Sequence, residues 1–369
     1  MKLEFIDRLF KKNWTDEDIS TFIGTYSATY FGYAKDHLIR SNAASGGVVT
    51  ATLRYLIEKR IVDGALVCRN QVHDNQVELE YFIATKPEDL ENSQGSKYIS
   101  APFSSKAMSL VREFPGCLAV VALPCDTTLL QSARKTDPLL AEKVKIVITL
   151  FCGHLSNKKL TELVLDKLHP SHEAILRDFR YRSGLWRGTL MAAYDDGLVV
   201  RKKFSYFSKY QNLYYFCERK CLHCSDHFGY DSDISVGDVW LEQMRDLAIK
   251  HSGIIVRNQQ MKQLLEEMEQ AGVLSLTPQP ITRIMDSQAR SISTHSNISA
   301  RAAVAHEFGL KIKDTTGRKV RLLDKIVARI ILKNALLSET DEGAEKVRSI
   351  PKKLLTIKLY LLKLFETLQ

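Results

Sequence analysis

A unit of strand, cysteine and helix occurs twice in succession in the middle of this 369-residue chain. The uninterrupted apolar run Cys117–Pro124 is typical of a parallel strand covered on both faces, and Cys125 follows it directly. The run Val144–Phe151 repeats the pattern and leads to Cys152. After each cysteine a helix is predicted, at about residues 126–134 and 158–168.

This doubling constrains where the two cysteines lie. A crossover from strand through helix to strand is almost always right-handed, and it makes the two strands parallel. Cys125 and Cys152 are therefore expected at the carboxyl edge of one sheet. Open α/β sheets bind their ligands at this edge, so a functional site is expected there.

The rest of the chain predicts an α/β fold with a mixed, partly parallel sheet, covering helices and a helical basic C-terminal tail. Short β-like runs over 177–215 indicate an antiparallel insertion. Further strands are predicted at 64–69, 79–84 and 232–240, and helices at 48–59, 261–271, 319–337 and 351–368. An acidic loop at 339–343 is expected between the last two helices. We expect three regions, with boundaries 1–116, 117–290 and 291–369.

Three further cysteines, Cys217, Cys221 and Cys224, form a C-x3-C-x2-C cluster. The chain does not open with the apolar core of a secretory signal, so we expect reduced thiols in the cytosol rather than disulfides. Thiolates at this spacing fit zinc, an iron–sulfur cluster or a redox dithiol. Cys125 and Cys152 favour the cluster, because distant strand-end cysteines that join a local pair commonly surround a cubane. Cys68 and Cys117 lie in or next to apolar strands and are expected to be core residues.

Two short segments rich in small residues could bind an anion or a ring. Asn42–Gly47 enters a predicted helix, whose positive N-terminal end suits a phosphate or the polar edge of a flavin. From the residues alone we favour the alternative, an ordinary serine N-cap followed by turn glycines. Gly95–Tyr98 places a lysine and a tyrosine beside a glycine, and it fits a binding turn or a surface turn equally.

Positive charge is concentrated in the tail. The net charge is +9, and residues 311–369 hold 14 Lys or Arg against 7 Asp or Glu. The nearly neutral body argues against nucleic acid as a partner. The basic helices could lie on an anionic membrane surface or dock on a partner, although we favour a helical pair that covers the body with solvated lysines. No uncharged apolar run is long enough to span a bilayer, so we expect a cytoplasmic protein, with peripheral attachment to the inner face of the membrane left open.

Motifs of several enzyme classes are absent from the sequence. It contains no G-x-S-x-G, H-E-x-x-H, Walker or G-x-G-x-x-G motif, so a hydrolase or a phosphotransferase has no support.

Six motifs occur in the order of one known family. They are Ser45–Gly47, Gly95–Tyr98, Leu123–Cys125, Phe151–Gly153, Cys221-x2-Cys224 and Ser232–Trp240. Together they resemble the coenzyme F420 hydrogenase/dehydrogenase beta-subunit family. The similarity runs over about residues 24–313 and includes the segments 179–186 and 252–257.

The resemblance implies a flavoprotein with FAD and a 4Fe-4S cluster that passes electrons between a one-electron chain and a two-electron partner. Relatives act on coenzyme F420 or reduce chlorophyll-type compounds. The implied cluster ligands are Cys125, Cys152, Cys221 and Cys224. The implied flavin-binding residues are Asn42, Ser45, Gly46, Gly47, Thr50, Ser96, Lys97, Tyr98, Gly237, Asp238 and Trp240. The region 1–116 would then bind flavin, and the region 117–290 would hold the cluster and further flavin contacts.

The chain departs from the family pattern in two ways. It lacks the C-x2-C-x2-C-x3-C-P run of the ferredoxin module that many relatives carry, so electrons are expected from a separate ferredoxin or a partner subunit. Leu123 and Asp126 replace the usual glycine and glutamine around Pro-Cys, so the small-molecule substrate need not be F420. Cys217 is an extra candidate that could replace one of the four ligands.

The expected function is a flavin- and iron–sulfur-dependent oxidoreductase that connects an external one-electron carrier with F420 or another organic acceptor. No catalytic side chain is assigned, and His154 and Lys97 are candidates only. The alternative is a non-catalytic, zinc-stabilised α/β scaffold that binds a partner in a polysaccharide-biosynthesis or membrane-associated assembly. Iron with sulfide would identify the enzyme, and zinc without flavin would identify the scaffold.

Overall fold

The computed structural model describes residues 13–168, 174–185 and 188–368. The strands in these ranges are β1 (Ala28–Ala34), β2 (Gly64–His73), β3 (Gln76–Ala84), β4 (Leu118–Ala122), β5 (Val144–Leu150), β6 (Leu176–Ser183), β7 (Thr189–Tyr194), β8 (Val199–Lys203), β9 (Ile234–Asp238), β10 (Ser252–Val256) and β11 (Leu274–Pro278). Trp186, in one of the segments that resemble the family, lies outside the described residues.

The helices begin with α1 (Asp16–Phe22), α2 (His37–Asn42), α3 (Val48–Glu58), α4 (Met108–Glu113), α5 (Pro124–Arg134), α6 (Pro138–Lys143), α7 (Lys158–Leu168) and α8 (Ser205–Gln211). They continue with α9 (Arg219–Leu222), α10 (Gln259–Gln270), α11 (Ile281–Ser296), α12 (Ile298–Val304), α13 (Leu322–Leu337), α14 (Asp341–Arg348) and α15 (Lys352–Thr367). Short 3-10 turns lie at Pro87–Ser93, Glu242–Met244 and Ala305–Phe308, and a π turn lies at Phe103–Ala107.

Within the described residues, eight strands form one mixed sheet in the order β11-β1-β10-β9-β5-β4-β2-β3. Neighbours among β2, β4, β5 and β9 are parallel, whereas β3, β10, β1 and β11 pair antiparallel. The prediction of a mixed, partly parallel sheet is confirmed. The strands come from both of the first two predicted regions of the chain, which share this one sheet.

The position of strand β4 in the middle of the fold explains why its sequence is apolar throughout. Leu118, Val120 and Ala122 belong to a buried cluster with residues of α4, α5 and α6, while Ala119 belongs to a second cluster with residues of α3 and α10. Successive side chains of a strand point to opposite faces, so helices cover both faces of the sheet here.

The doubled unit folds as predicted. β4 and β5 are parallel neighbours, and the residues that follow them lie at the carboxyl edge. Helix α5 begins at Pro124, so Cys125 lies in its first turn rather than before it. Cys152 lies in the loop that follows β5.

The antiparallel insertion is confirmed as a sheet of β6, β7 and β8. Its buried side chains share an apolar cluster with α7 and with the tail helices, including Phe179, Tyr181, Val327, Ile331 and Leu359. The tail therefore packs on the body through one face, as the favoured interpretation of the basic helices requires.

One prediction for the tail is wrong. Residues 339–343 do not form a simple loop, because helix α14 begins at Asp341. The hydroxyl of Thr340 accepts a hydrogen bond of 3.1 Å from the Gly343 N–H and caps this helix. The two flanking helices are confirmed as α13 and α15. In the described residues, no helix has the length and apolarity needed to cross a bilayer.

Candidate functional site

Four of the cysteines line one small cavity of about 20 Å³. Cys125 comes from the first turn of α5, Cys152 from the loop after β5, and Cys221 and Cys224 from α9 and the turn after it. Three segments far apart in the sequence therefore meet at the carboxyl edge of the sheet. Across the described ranges, no three or more Cys, His, Asp or Glu side chains are arranged to hold a metal ion.

A buried arginine holds the Cys221–Cys224 turn. The Arg301 side chain is 1% exposed, and its Nε and Nη2 atoms donate hydrogen bonds to the carbonyls of Leu222 (2.9 Å) and Cys224 (2.8 Å). Just beyond the turn, the Asp226 carboxylate accepts from the N–H groups of Phe228 (2.9 Å) and Gly229 (2.7 Å). The turn is thus fixed from both ends.

The Cys152 loop is held by two buried histidines. The Cys152 N–H donates to the His227 carbonyl at 3.1 Å, and the Cys152 carbonyl lies 2.9 Å from His227 Nδ1 and 2.9 Å from His295 Nε2. A carbonyl can only accept, so His295 carries its proton on Nε2. Burial lowers the pKa of His227 to about 4 and that of His295 to about 3, so both rings are neutral near pH 7.

His295 also faces the cysteines. Its ring lines the small cavity, and within the described residues its Nδ1 atom has no hydrogen-bond partner. A buried acceptor without a donor is unusual in a folded protein. The lining of the cysteine cavity thus includes a residue with one unsatisfied buried acceptor.

Burial makes the thiols poor acids. It raises the pKa of Cys125 to about 12 and of Cys224 to about 11, and it also raises the pKa of Cys152, with the neighbouring thiols adding to the effect. Cys221 differs, since a hydrogen bond with the Cys217 side chain lowers its pKa. The Leu155 N–H also donates to the Cys221 sulfur at 3.3 Å. A thiolate is therefore favoured first at Cys221.

Cys217 is a neighbour of the cavity rather than part of its lining. Its side chain is 2% exposed, and its hydrogen bond with Cys221 raises its own pKa. The backbone of Cys217 pairs with Ser156 in an isolated antiparallel bridge. Cys117, in contrast, lies at the far end of β4, where its thiol is 3.9 Å from the Ile61 carbonyl.

A much larger cleft adjoins the cysteine cavity. Its volume is about 690 Å³, and Leu123 and the loop residues 152–155 line both spaces. Nine of the residues implied by the resemblance line this cleft: Ser45, Gly47, Thr50, Ser96, Lys97, Tyr98, Gly237, Asp238 and Trp240. The sequence motifs thus converge on one cavity beside the cysteines.

Two of the implied residues do not line the cleft. Gly46 supports its wall from behind, because its N–H donates to Ser252 Oγ at 3.0 Å and a Cβ there would lie 2.4 Å from the Gly32 carbonyl oxygen. Asn42 is exposed at the end of α2, where its amide donates to the Leu38 carbonyl at 3.3 Å.

Helix α3 points its N-terminus at the cleft. The interpretation of an ordinary serine N-cap is wrong, since Gly47 (φ +78°) is the N-cap and no side chain caps the helix. The Ser45 hydroxyl is instead 2.8 Å from Ser252 Oγ. The first turn, residues 48–50, lines the cleft. The positive end of the helix dipole therefore faces the space where an anionic group would bind.

Arg182 is the residue that the sequence motifs did not single out. Its guanidinium is 4% exposed and binds Asp238 through two hydrogen bonds of 2.7 and 3.2 Å. It also donates to the Ala44 carbonyl (3.2 Å) and to Ser96 Oγ (3.4 Å), and it lies 4.9 Å from the centre of the Trp240 ring. One arginine thus joins the walls of the cleft. Its strand carries three arginines, Arg177, Arg180 and Arg182, and nothing in the sequence separates the buried one from the two exposed ones.

Lys97 has a structural role in the same wall. Its ammonium donates to the carbonyls of Gln94 (3.1 Å) and Gly95 (3.0 Å), and also to that of Ser93. Burial lowers the pKa of this lysine. Tyr98 packs its ring on Phe204, with 5.3 Å between ring centres. The turn is therefore a rigid part of the cleft and not a loose surface turn.

Two family models match the chain. The N-terminal part of the coenzyme F420 hydrogenase/dehydrogenase beta subunit matches residues 29–106, and the C-terminal part matches residues 117–281. Together they cover about two thirds of the chain. Neither match extends into the tail helices.

Individual relatives are distant. An uncharacterized protein of Methanocaldococcus jannaschii is 29% identical over 61% of this chain and 59% of its own length. A subunit of the F420H2 dehydrogenase of Methanosarcina mazei is 28% identical over 54% of each chain. The beta subunit of the coenzyme F420 hydrogenase of Methanothermobacter thermautotrophicus is 23% identical over 69% of this chain and 86% of that one. The chain thus spans somewhat more than half the length of the first two relatives.

A solved structure shares the fold. A chain of the F420-reducing NiFe hydrogenase complex from Methanosarcina barkeri superposes with a TM-score of 0.58, at 17% identity, over 79% of this chain and 97% of that chain.

The fold and the two adjoining cavities define an α/β protein with a cysteine-lined site beside a ligand cleft at the carboxyl edge of its sheet. The chain belongs to the coenzyme F420 hydrogenase/dehydrogenase beta-subunit family.

Proposed function

We propose that this protein is an oxidoreductase that uses FAD and a 4Fe-4S cluster to pass electrons between an external one-electron carrier and a two-electron acceptor or donor in the cleft. The observation that carries the proposal is the shared wall at residues 152–155. The cysteine cavity and the cleft meet there, so an electron would cross only a few residues.

The residues around the small cavity fit a cubane cluster, which takes one thiolate on each of its four irons and does not need three side chains around a single metal ion. Cys125, Cys152, Cys221 and Cys224 supply four thiolates once their protons are released on metal binding. The Leu155 N–H donates to the Cys221 sulfur, and hydrogen bonds of this kind tune the potential of a bound cluster. Cys217 would act beside the cluster as a second hydrogen-bond partner of Cys221.

The residues of the cleft fit a flavin dinucleotide. The uncapped N-terminus of α3 would face its pyrophosphate, and the Arg182–Asp238 pair with Trp240 would hold the ring system. Gly46 and Gly47 allow the loop before α3 to pack tightly on the Gly32 carbonyl and the Ile39 side chain, which holds this wall of the cleft in place. When bound, a flavin exchanges one electron at a time with a cluster and two with an organic molecule.

The chain's own residues prepare the site in three ways. Arg182 fixes the relative positions of the loop at residue 44, the turn at residue 96 and the end of β9. Arg301 and the two histidines hold the cysteine segments before any metal arrives. The apolar and buried surround excludes water, which keeps interactions with charge strong. No side chain is assigned as a proton donor or acceptor.

The carrier and the organic molecule are proposed only by class. We infer that a ferredoxin or a partner subunit exchanges electrons with the cluster. In support, one relative is named as a hydrogenase subunit, and the solved relative belongs to a hydrogenase complex. F420 is a candidate substrate because the matching relatives are named for it, and another organic acceptor is the alternative.

The test is anaerobic purification followed by an absorption spectrum before and after dithionite, with analysis of iron, sulfide, zinc and flavin. We expect flavin bands over a broad absorption that bleaches, and about four irons and four sulfides per chain. A colourless protein with one zinc and no flavin would contradict the proposal and support the zinc-stabilised scaffold. Stopped-flow bleaching by reduced F420, compared with reduced ferredoxin, would then separate the two electron partners.

A further inference from the structure

The last helix of the tail, α15, has two apolar faces. Leu355, Leu359 and Leu362 are 2–6% exposed and pack on the body. A second set is 43–56% exposed and contacts solvent: Leu354, Ile357, Leu361, Leu364 and Leu368. At 3.6 residues per turn this second set falls within an arc of about 80°. We call these five side chains the exposed stripe.

The edges of the exposed stripe carry positive charge. Lys353 lies on one side and Lys358 on the other, both are exposed, and neither makes an ion pair in the described residues. Tyr360, 66% exposed, lies beside Lys353 on the helix surface. The single acidic residue of α15, Glu366, is 3% exposed and binds Arg290, so it does not offset the lysines.

The opposite side of α15 is fastened to the body. Glu366 forms an ion pair with Arg290 of α11, and Lys209 of α8 donates to Thr356 Oγ1 at 2.8 Å. The Lys352 ammonium lies 4.8 Å from the centre of the Tyr206 ring. These contacts fix the rotation of the helix, so the stripe faces outward because of the fold and not because the helix is loose.

We propose that the exposed stripe docks the protein on an anionic membrane surface, with α15 parallel to the plane of the lipids. Five large apolar side chains flanked by free lysines are the pattern of an interfacial helix. The aliphatic stems of Lys353 and Lys358 can lie along the apolar boundary while their ammonium groups reach lipid phosphates.

The same surface is poorly suited to a protein partner. Stable protein interfaces use about 20–30 residues on each side, whereas the stripe offers the side chains of one helix about 24 Å long.

Docking would bring the cleft to the lipid surface. Lys363, on the same helix, lines the large cleft. Helix α15 therefore contributes Lys363 to the cleft lining on one side and carries the stripe on another. This geometry does not depend on which cofactors the protein binds, so the docking and the proposed redox function can fail independently.

The test is flotation of the full chain with lipid vesicles. Vesicles of phosphatidylcholine mixed with phosphatidylglycerol are compared with vesicles of phosphatidylcholine alone, at low and high salt. We expect binding to the anionic vesicles that weakens as salt rises. We expect Ile357→Ser with Leu361→Ser to reduce this binding by at least about tenfold. Lys353→Glu with Lys358→Glu should reduce it by at least about tenfold as well.

Matched controls separate docking from general surface effects. Leu129→Ser with Leu139→Ser removes two side chains of similar exposure, 43% and 50%, on another surface. Lys145→Glu reverses an exposed charge on β5. These variants should bind like the wild type, and thermal melting checks that each variant folds.

Two kinds of result would overturn the proposal. The first is no binding of the wild type to either vesicle, or equal loss in the control variants. The second is a wild-type dimer in sedimentation that Ile357→Ser with Leu361→Ser converts to a monomer, because the stripe would then be a contact between copies.

Discussion

The cysteine cavity and the large cleft share a wall but are built by different means. The cavity takes its shape from backbone: strand ends, a short helix and carbonyls bound by Arg301, His227 and His295. The cleft takes its shape from side chains, chiefly the buried Arg182 and the half-buried Asp238 that pairs with it. We expect the cysteine cavity to keep its metal after small changes in shape but not after the loss of a thiol. We expect the cleft to lose its ligand when the Arg182–Asp238 ion pair is broken.

The largest effect is expected for Cys152→Ala. The cavity would keep its backbone but lose one of four thiolates, so iron per chain should fall by at least about tenfold. Iron and sulfide analysis after anaerobic purification measures this. Cys117→Ala is the control, because that thiol lies at the far end of β4. Equal iron in the wild type and Cys152→Ala would exclude Cys152 as a ligand.

Next in size is Arg182→Met. This change leaves the half-buried Asp238 carboxylate, 24% exposed, without its counter-charge, which costs about 2–4 kcal/mol of unfolding free energy, less than for a fully buried pair. Flavin content should fall with it, because three walls of the cleft lose their common partner. Urea unfolding and flavin analysis provide the two readouts.

The control for this change lies two residues away. Arg180, on the same strand, is 54% exposed and pairs with Asp178 at 3.2 Å, so Arg180→Met should change stability by less than about 0.5 kcal/mol. If the two variants unfold alike, the side-chain account of the cleft is wrong.

A smaller effect is expected where the two regions touch. A Cβ on Gly237 would lie 2.2 Å from the Phe151 ring, which precedes Cys152, so Gly237→Ala should cost about 1–3 kcal/mol and disturb both cavities. Gly253 is the cross-strand partner of Gly237, and a Cβ there would meet its nearest atoms at 3.4 Å. Gly253→Ala should therefore be milder in thermal melting. If Gly253→Ala lowered the melting temperature more than Gly237→Ala, the contact between Gly237 and Phe151 would not connect the two cavities.

The smallest effect is expected for Cys217→Ala. Iron should stay near the wild-type value, because Cys217 does not line the cavity. The loss of its hydrogen bond to Cys221 should make the bound cluster harder to reduce, since a donor near the sulfur stabilises added negative charge. A redox titration followed by absorption measures this. Loss of iron would instead make Cys217 a ligand.

Much of the molecule could be predicted because the signals were local. The apolar runs before Cys125 and Cys152 specified parallel strands, and a crossover rule then placed both residues at one edge. The insertion and the tail helices followed from periodicity. The error at residues 339–343 is also local, because a Thr340 N-cap before acidic residues is a typical helix start.

The remaining features depended on contacts between distant residues. No pattern around Arg182 indicates that it binds Asp238, 56 residues later in the chain. Nor does the spacing of the cysteines show that Cys217 lies beside Cys221 and outside the lining of the cavity. Likewise, α15 is apolar around most of its circumference, so only packing decides which leucines stay exposed.

The sequence by itself determined the strands before Cys125 and Cys152, the insertion and the two long tail helices, and it placed those two cysteines at one edge of the sheet. It could do so because strand periodicity and crossover handedness are properties of short segments. The tertiary structure alone decided which charges are paired inside the cleft and which apolar face remains free. Burial and ion pairing are set by whatever element happens to lie opposite, and that neighbour is rarely close in the chain.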